Sequence, residues 1–128
     1  MRDRIQLLGV TIDLLTMNET IDIVEQYVLE KRPLHLMGVN ADKINQCHTD
    51  EKIKKIVNES GIINADGASV VLASKFLGTP VPERVAGIDL MQCLLELSNK
   101  KDIQFTFLEQ KKKFCKICSK YLREIIQI

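Results

Sequence analysis

Apolar and polar positions along this chain alternate between strand-length runs and helix-length stripes. Residues 5–13 read as two short strands around Gly9. Thr16-Met17-Asn18-Glu19 then has the spacing of a capping box, in which the Thr hydroxyl and the Glu carboxylate satisfy free amides at a helix start. Ile21, Val24, Tyr27 and Val28 give that helix an apolar stripe, and Pro33 follows its end. Residues 34–39 form a third strand-length run, closed by Asn40-Ala41-Asp42, which can cap a further helix. Ile53, Ile56 and Val57 mark another helix that stops near Ser60-Gly61. Ile62-Ile63 is again a short strand, ending at Asn64-Ala65-Asp66-Gly67.

Residues 68–77 have helical composition and close on Gly78-Thr79-Pro80. Residues 81–87, with Pro82 following Pro80, read as a loop, after which Asp89 can cap a helix through about Leu97. Residues 103–108 are the last strand-like run. Phe114, Ile117, Cys118, Tyr121, Leu122, Ile125 and Ile126 then recur at helical spacing, with Lys112, Lys113, Lys116, Lys120 and Arg123 elsewhere on the wheel. Such a basic amphipathic helix either covers a sheet with its outer face solvated or lies on an anionic membrane surface. The order of elements predicts a single α/β domain over residues 1–128. Its architecture is Rossmann-like: a mostly parallel sheet flanked by helices, opened by a short N-terminal β-hairpin.

Composition narrows this picture only a little. At 128 residues the chain has room for one real core, and 45% hydrophobic with 27% charged content argues against disorder. A net charge of +1 supplies no global field to recruit nucleic acid. The apolar runs are too short to span a bilayer and no secretory signal opens the chain, so a cytoplasmic location is expected. Cys47 and Cys93 stand alone in helical patterns, and the Cys115/Cys118 pair shares a helix face without a second ligand pair nearby. Neither His35 nor His48 is placed to complete a metal site, so free thiols, no metal and no cofactor are expected.

In open α/β sheets, ligands gather beyond the carboxyl ends of the strands. Two polar clusters fall there: Asn40-Ala41-Asp42 and Asn64-Ala65-Asp66-Gly67. Asp66 either accepts a proton from a sugar hydroxyl or simply forms an Asp-Gly turn and caps a helix. Asn40 is in the same way a cap or a hydroxyl-binding amide. Arg84 offers a guanidinium to a diphosphate, or pairs with Glu83 or Asp89 in its own loop. No phosphate-binding glycine loop and no nucleophile-elbow or zinc-helix motif is present.

Four blocks occur in order: residues 8–13 (Leu-Gly-Val-Thr-Ile-Asp), 40–45 (Asn-Ala-Asp-Lys-Ile-Asn), 65–71 (Ala-Asp-Gly-Ala-Ser-Val-Val) and 82–91 (Pro-Glu-Arg-Val-Ala-Gly-Ile-Asp-Leu-Met). Together they resemble the WecG/TagA/CpsF glycosyltransferases over about residues 5–108. The resemblance implies an inverting enzyme without a metal-binding D-x-D motif. Such an enzyme moves N-acetylmannosamine, or a related N-acetylhexosamine, from UDP to undecaprenyl-diphosphate-linked N-acetylglucosamine in teichoic acid, capsule or common-antigen assembly. It implies Asp66 as the general base, with Asn40, Asn64, Gly67, Arg84 and Asp89 binding substrate. It also implies a peripheral contact with the inner membrane face, where the lipid acceptor resides.

Two departures accompany the match. Gly38 stands where some relatives carry Thr, and Glu109-Gln110-Lys111-Lys112-Lys113 replaces a glycine-containing turn. The chain corresponds to the N-terminal half of such an enzyme. Three readings follow from that: a truncated transferase, one half of a split enzyme completed by a C-terminal partner or homo-oligomer, or a non-catalytic remnant that binds.

Overall fold

The structure, a computed structural model, describes residues 2–106. The chain divides into two compact units, one ending at Met91 and one beginning at Gln92. The first unit opens with β1 (Arg4–Leu7) and β2 (Val10–Asp13), an antiparallel hairpin with Leu7 opposite Val10. Both turn residues have positive φ, 52° at Leu8 and 82° at Gly9. That mirror-image turn matches the right-handed twist of the strands. Gly9 adopts it freely, whereas Leu8 does so against its own Cβ.

Helix α1 (Met17–Leu29) starts where the capping box places it. The Glu19 carboxylate accepts from the Thr16 amide at 2.8 Å, and the Thr16 hydroxyl accepts from the Glu19 amide at 3.3 Å. The backbone bond from Thr16 holds the Glu19 carboxyl below its ordinary pKa. β3 (Leu36–Val39) and β4 (Ile62–Ala65) form a parallel pair, Gly38 opposite Asn64 and Val39 opposite Ala65. The crossover between them carries α2 (Ala41–Thr49) and α3 (Glu51–Asn58). Asp50 both ends α2 and starts α3: its amide donates to Gln46, and its carboxylate accepts from Lys52 and Ile53. α4 (Ala68–Phe76) follows β4, and α5 (Gly87–Lys101) begins in the first unit and runs into the second.

The core of the first unit joins Leu7, Val10 and Ile12 of the hairpin to Val39, Ile63 and Ala65 of the parallel pair. Ile44 and Cys47 of α2, Val57 of α3, Val70 of α4 and Val81 beyond α4 complete it. Burial pushes the Cys47 thiol pKa up, so the sulfur is a neutral, packed group. A buried carboxylate ties hairpin to sheet. Asp13 accepts from Arg4 at 2.8 Å and from the Ile63 amide at 2.7 Å, with Arg2 at 4.0 Å. Arg2 and Arg4 also both donate to the Gly61 carbonyl, at 2.6 and 3.0 Å. The Asp13 side chain is 0% exposed.

This is the mixed α/β arrangement, with its leading hairpin and parallel pair, that the sequence predicts. Two details differ. Asp89 does not cap α5: the helix begins two residues earlier, the Leu90 amide donating to Ala86 at 2.9 Å. The Val85 amide donates to the Ala65 carbonyl, which ties the chain to the end of β4 just before the first helical turn. Residues 103–106 carry no strand, since an apolar run becomes one only against a partner edge; residues 107 and 108 lie outside the described residues. The basic amphipathic helix expected from Phe114 onward also lies outside them. Among the described residues no helix is long and apolar enough to cross a membrane.

Candidate functional site

Because β3 and β4 are parallel, their carboxyl ends emerge side by side. The Val39 carbonyl at the end of β3 accepts from both Asp66 (2.9 Å) and Gly67 (3.3 Å), which lie just past β4. The two polar clusters of the sequence thereby become one. A Cβ on Gly67 would stand 3.2 Å from the Asn40 Cβ, so glycine permits this approach. Asn40 is exposed and caps α2, its Oδ1 accepting from the Lys43 amide at 2.9 Å.

Asp66 is half-buried, and its carboxylate has no hydrogen-bond or salt-bridge partner among the described residues. Its walls are glycines. A Cβ at Gly38 would lie 3.0 Å from Oδ2, and one at Gly87 would lie 3.5 Å from it. A Cβ at position 38 would press on the carboxylate, whereas one at position 87 would only touch it at ordinary contact distance.

The segment between α4 and α5 is pinned at four points. The buried Val81 amide donates to the Ser74 hydroxyl at 3.1 Å, and the Val85 amide to the Ala65 carbonyl at 2.9 Å. The Glu83 carboxylate accepts from the Met17 amide at the start of α1. Arg84 donates through Nε to the Asp66 backbone carbonyl at 2.5 Å. Val81, Val85 and Ala86 are buried beneath, while Glu83 and Arg84 are exposed. Neither of the loop ion pairs open to Arg84, with Glu83 or with Asp89, forms. Its guanidinium is anchored by one nitrogen at the edge of the Asp66 turn, and no carboxylate neutralises it among the described residues.

Asn40, Asp66, Gly67 and Arg84 thus come together at one end of the parallel pair. Asn64 does not join them with its side chain. It is 3% exposed, and its amide donates to the Thr20 hydroxyl at 3.0 Å, which in turn donates to the Thr16 carbonyl at 2.8 Å. Asp89 is exposed in the first turn of α5 and makes no hydrogen bond to the others. Sequence reasoning missed Gly87 as a wall, Glu83 as a cap on a distant helix, and Thr20 as the partner of Asn64. A polar residue inside an apolar helix stripe was the one available signal, and only for Thr20.

An accessible carboxylate, an unneutralised guanidinium and an exposed amide around one strand-end opening are the equipment of a hydroxyl-activating, anion-binding site. The profile of the Glycosyl transferase WecG/TagA/CpsF family matches residues 5–127, and the chain belongs to that family. It is 28% identical over 98 residues to the N-acetylglucosaminyldiphosphoundecaprenol N-acetyl-beta-D-mannosaminyltransferase of Staphylococcus aureus strain NCTC 8325 / PS 47, and equally to that of strain COL. Those matches cover 75% of this chain and 39% of each relative, so the chain spans about two-fifths of the length of these curated relatives.

Proposed function

We propose that this chain carries the base-bearing part of an N-acetylhexosamine transferase, acting from a UDP-sugar onto undecaprenyl-diphosphate-linked N-acetylglucosamine. The observation that carries the reading is the unpartnered Asp66 carboxylate, held open between Gly38 and Gly87 at the end of β4. Asp66 takes the proton from the attacking hydroxyl of the acceptor sugar. That oxygen forms the new bond at the donor's anomeric carbon as the bond to the UDP oxygen breaks, inverting the configuration.

Arg84, fixed through Nε, offers its remaining donors to the negative charge that grows on the departing diphosphate. The Asn40 amide nitrogen binds a sugar hydroxyl, Gly67 keeps the turn slim enough for the sugar to approach, and Asn64 supports the turn from below through Thr20. Asp89 stands on α5 as a further hydroxyl acceptor. A lipid-linked acceptor implies work at the inner membrane face. A non-catalytic binding remnant is the competing reading.

The test is sugar transfer by the 128-residue chain, from UDP-N-acetylmannosamine to a soluble lipid-diphosphate-N-acetylglucosamine analogue, beside Asp66→Asn. Turnover abolished by the substitution is the expected result. Turnover retained in Asp66→Asn overturns the base assignment, and a folded chain without turnover overturns autonomous catalysis.

A further inference from the structure

A shallow apolar groove of about 200 Å³ lies between the hairpin turn, α2 and α4. Its floor is made by Ile44 and Val70, 7% and 2% exposed, and its walls by the small side chains of Ala41 and Ala73. One end meets the candidate site. Ala41 directly follows the Asn40 cap, and the Ser69 hydroxyl, also on the groove, lies 3.5 Å from where a Cβ on Gly67 would sit. The other lip is Leu8, held at positive φ with 56% of its surface exposed. A left-handed turn position favours Gly, Asn or Asp, so an exposed leucine there is costly to the fold both sterically and in apolar exposure. Along α4, Ser69, Ala73 and Phe76 share one face, so the groove leads toward Phe76, which is 91% exposed.

We infer that this groove binds the first branched units of a prenyl chain whose diphosphate and sugar lie in the adjoining polar site. The inference rests on the transferase reading for the identity of the head group. The groove itself argues for the tail. An apolar cavity of about 150 Å³ accepts a six-carbon ring, so this one suits roughly one five-carbon isoprenoid unit with the rest lying over Leu8 and Phe76. Small walls and a buried floor fit a narrow chain, and continuity with Asn40 and Gly67 demands a ligand that is apolar at one end only.

The experiment is amide chemical-shift mapping of the labelled 128-residue chain with farnesyl diphosphate, with inorganic diphosphate as the tail-less control. Farnesyl diphosphate is expected to move the amides of Leu8, Ile44 and Ala73 together with Asn40 and Gly67. Inorganic diphosphate is expected to move only the polar end. Leu8→Asn suits the turn better and keeps the fold, yet weakens farnesyl diphosphate binding about five-fold with inorganic diphosphate unaffected. Ala73→Leu fills the groove and weakens it by about ten-fold.

Shifts confined to the polar end, or parental affinity in both variants, overturn the inference. So does movement of the same amides with protein concentration alone, which assigns the groove to a second copy. Farnesyl binding through the groove in a chain that neither binds UDP nor transfers sugar sustains this inference while the transferase reading falls.

Discussion

Asp13 and Asp66 both stand at the ends of strands, yet the molecule treats them in opposite ways. Asp13 is fully buried, paired with Arg4, near Arg2, and bonded to the Ile63 amide. Asp66 is half-buried, partnerless among the described residues, and walled by two glycines. The nearby Arg84 binds the Asp66 backbone carbonyl and leaves the carboxylate alone. A carboxylate enclosed by cations and an amide holds the fold together and is closed to a ligand. A carboxylate kept clear of partners contributes little to stability and is available for chemistry. The difference is made by neighbours, since the residue type and the strand-end position are shared.

Substitution of each aspartate by asparagine tests this directly and should give the largest contrast. Asp13→Asn leaves two arginines without their carboxylate, a change that typically costs 3–5 kcal/mol when fully buried. Arg4 and Arg2 are about one-third exposed and can recruit water, so a loss of about 3 kcal/mol is expected, read as a lowered urea midpoint. Asp66→Asn should stay within about 0.5 kcal/mol of the parent. Equal destabilisation by the two would erase the distinction.

Much of the frame was legible because it is set locally. The Thr16–Glu19 spacing fixes the start of α1, and Leu8-Gly9 between two apolar runs marks the hairpin turn. The strand-end place of Asp66 followed from a short apolar run meeting Asp-Gly. What could not be read depends on pairs far apart in the chain. Glu83 finds Met17, Arg84 finds the Asp66 carbonyl, and Asp13 finds Ile63, contacts that no periodicity encodes. Asn64 illustrates the limit: its place beside Asp66 in sequence suggested a ligand contact, but alternation along β4 turns its side chain to Thr20.

That buried amide gives the next test. Thr20→Val keeps the shape of the side chain but removes the acceptor for Asn64 and the donor to Thr16. Leaving a buried amide unsatisfied should cost about 1–2 kcal/mol. If the free Asn64 amide reached the polar opening instead, the loss would be smaller, and the amide would respond to added UDP in a chemical-shift titration.

Gly38→Ala sharpens the Asp66 side of the comparison. The new Cβ would lie 3.0 Å from Asp66 Oδ2 and 3.3 Å from its Cβ, too close for both groups to stay put. A stability loss of about 1 kcal/mol is expected from the overpacking. Relief of these contacts moves the carboxylate by a few tenths of an ångström, so sugar transfer should fall by about two- to three-fold. A variant that loses stability but transfers at the parental rate would show that the glycine serves packing alone.

Glu19 supplies the smallest effect and a third kind of carboxylate, held by partners yet exposed. Its bond from the Thr16 amide lowers its pKa in the folded chain relative to the unfolded one. A group depressed in this way contributes stability above its unfolded value, near pH 4.3, and that contribution is lost as pH falls through the folded value. Glu19→Gln keeps a side-chain oxygen for the capping box but cannot titrate. The difference in urea midpoint between parent and variant should therefore be small and steady at neutral pH, and should shrink on acidification below about pH 4. A difference that stays flat down to pH 3 would mean that the charge adds nothing to the hydrogen bond, and that enclosure, rather than partnership, separates Asp13 from the other carboxylates.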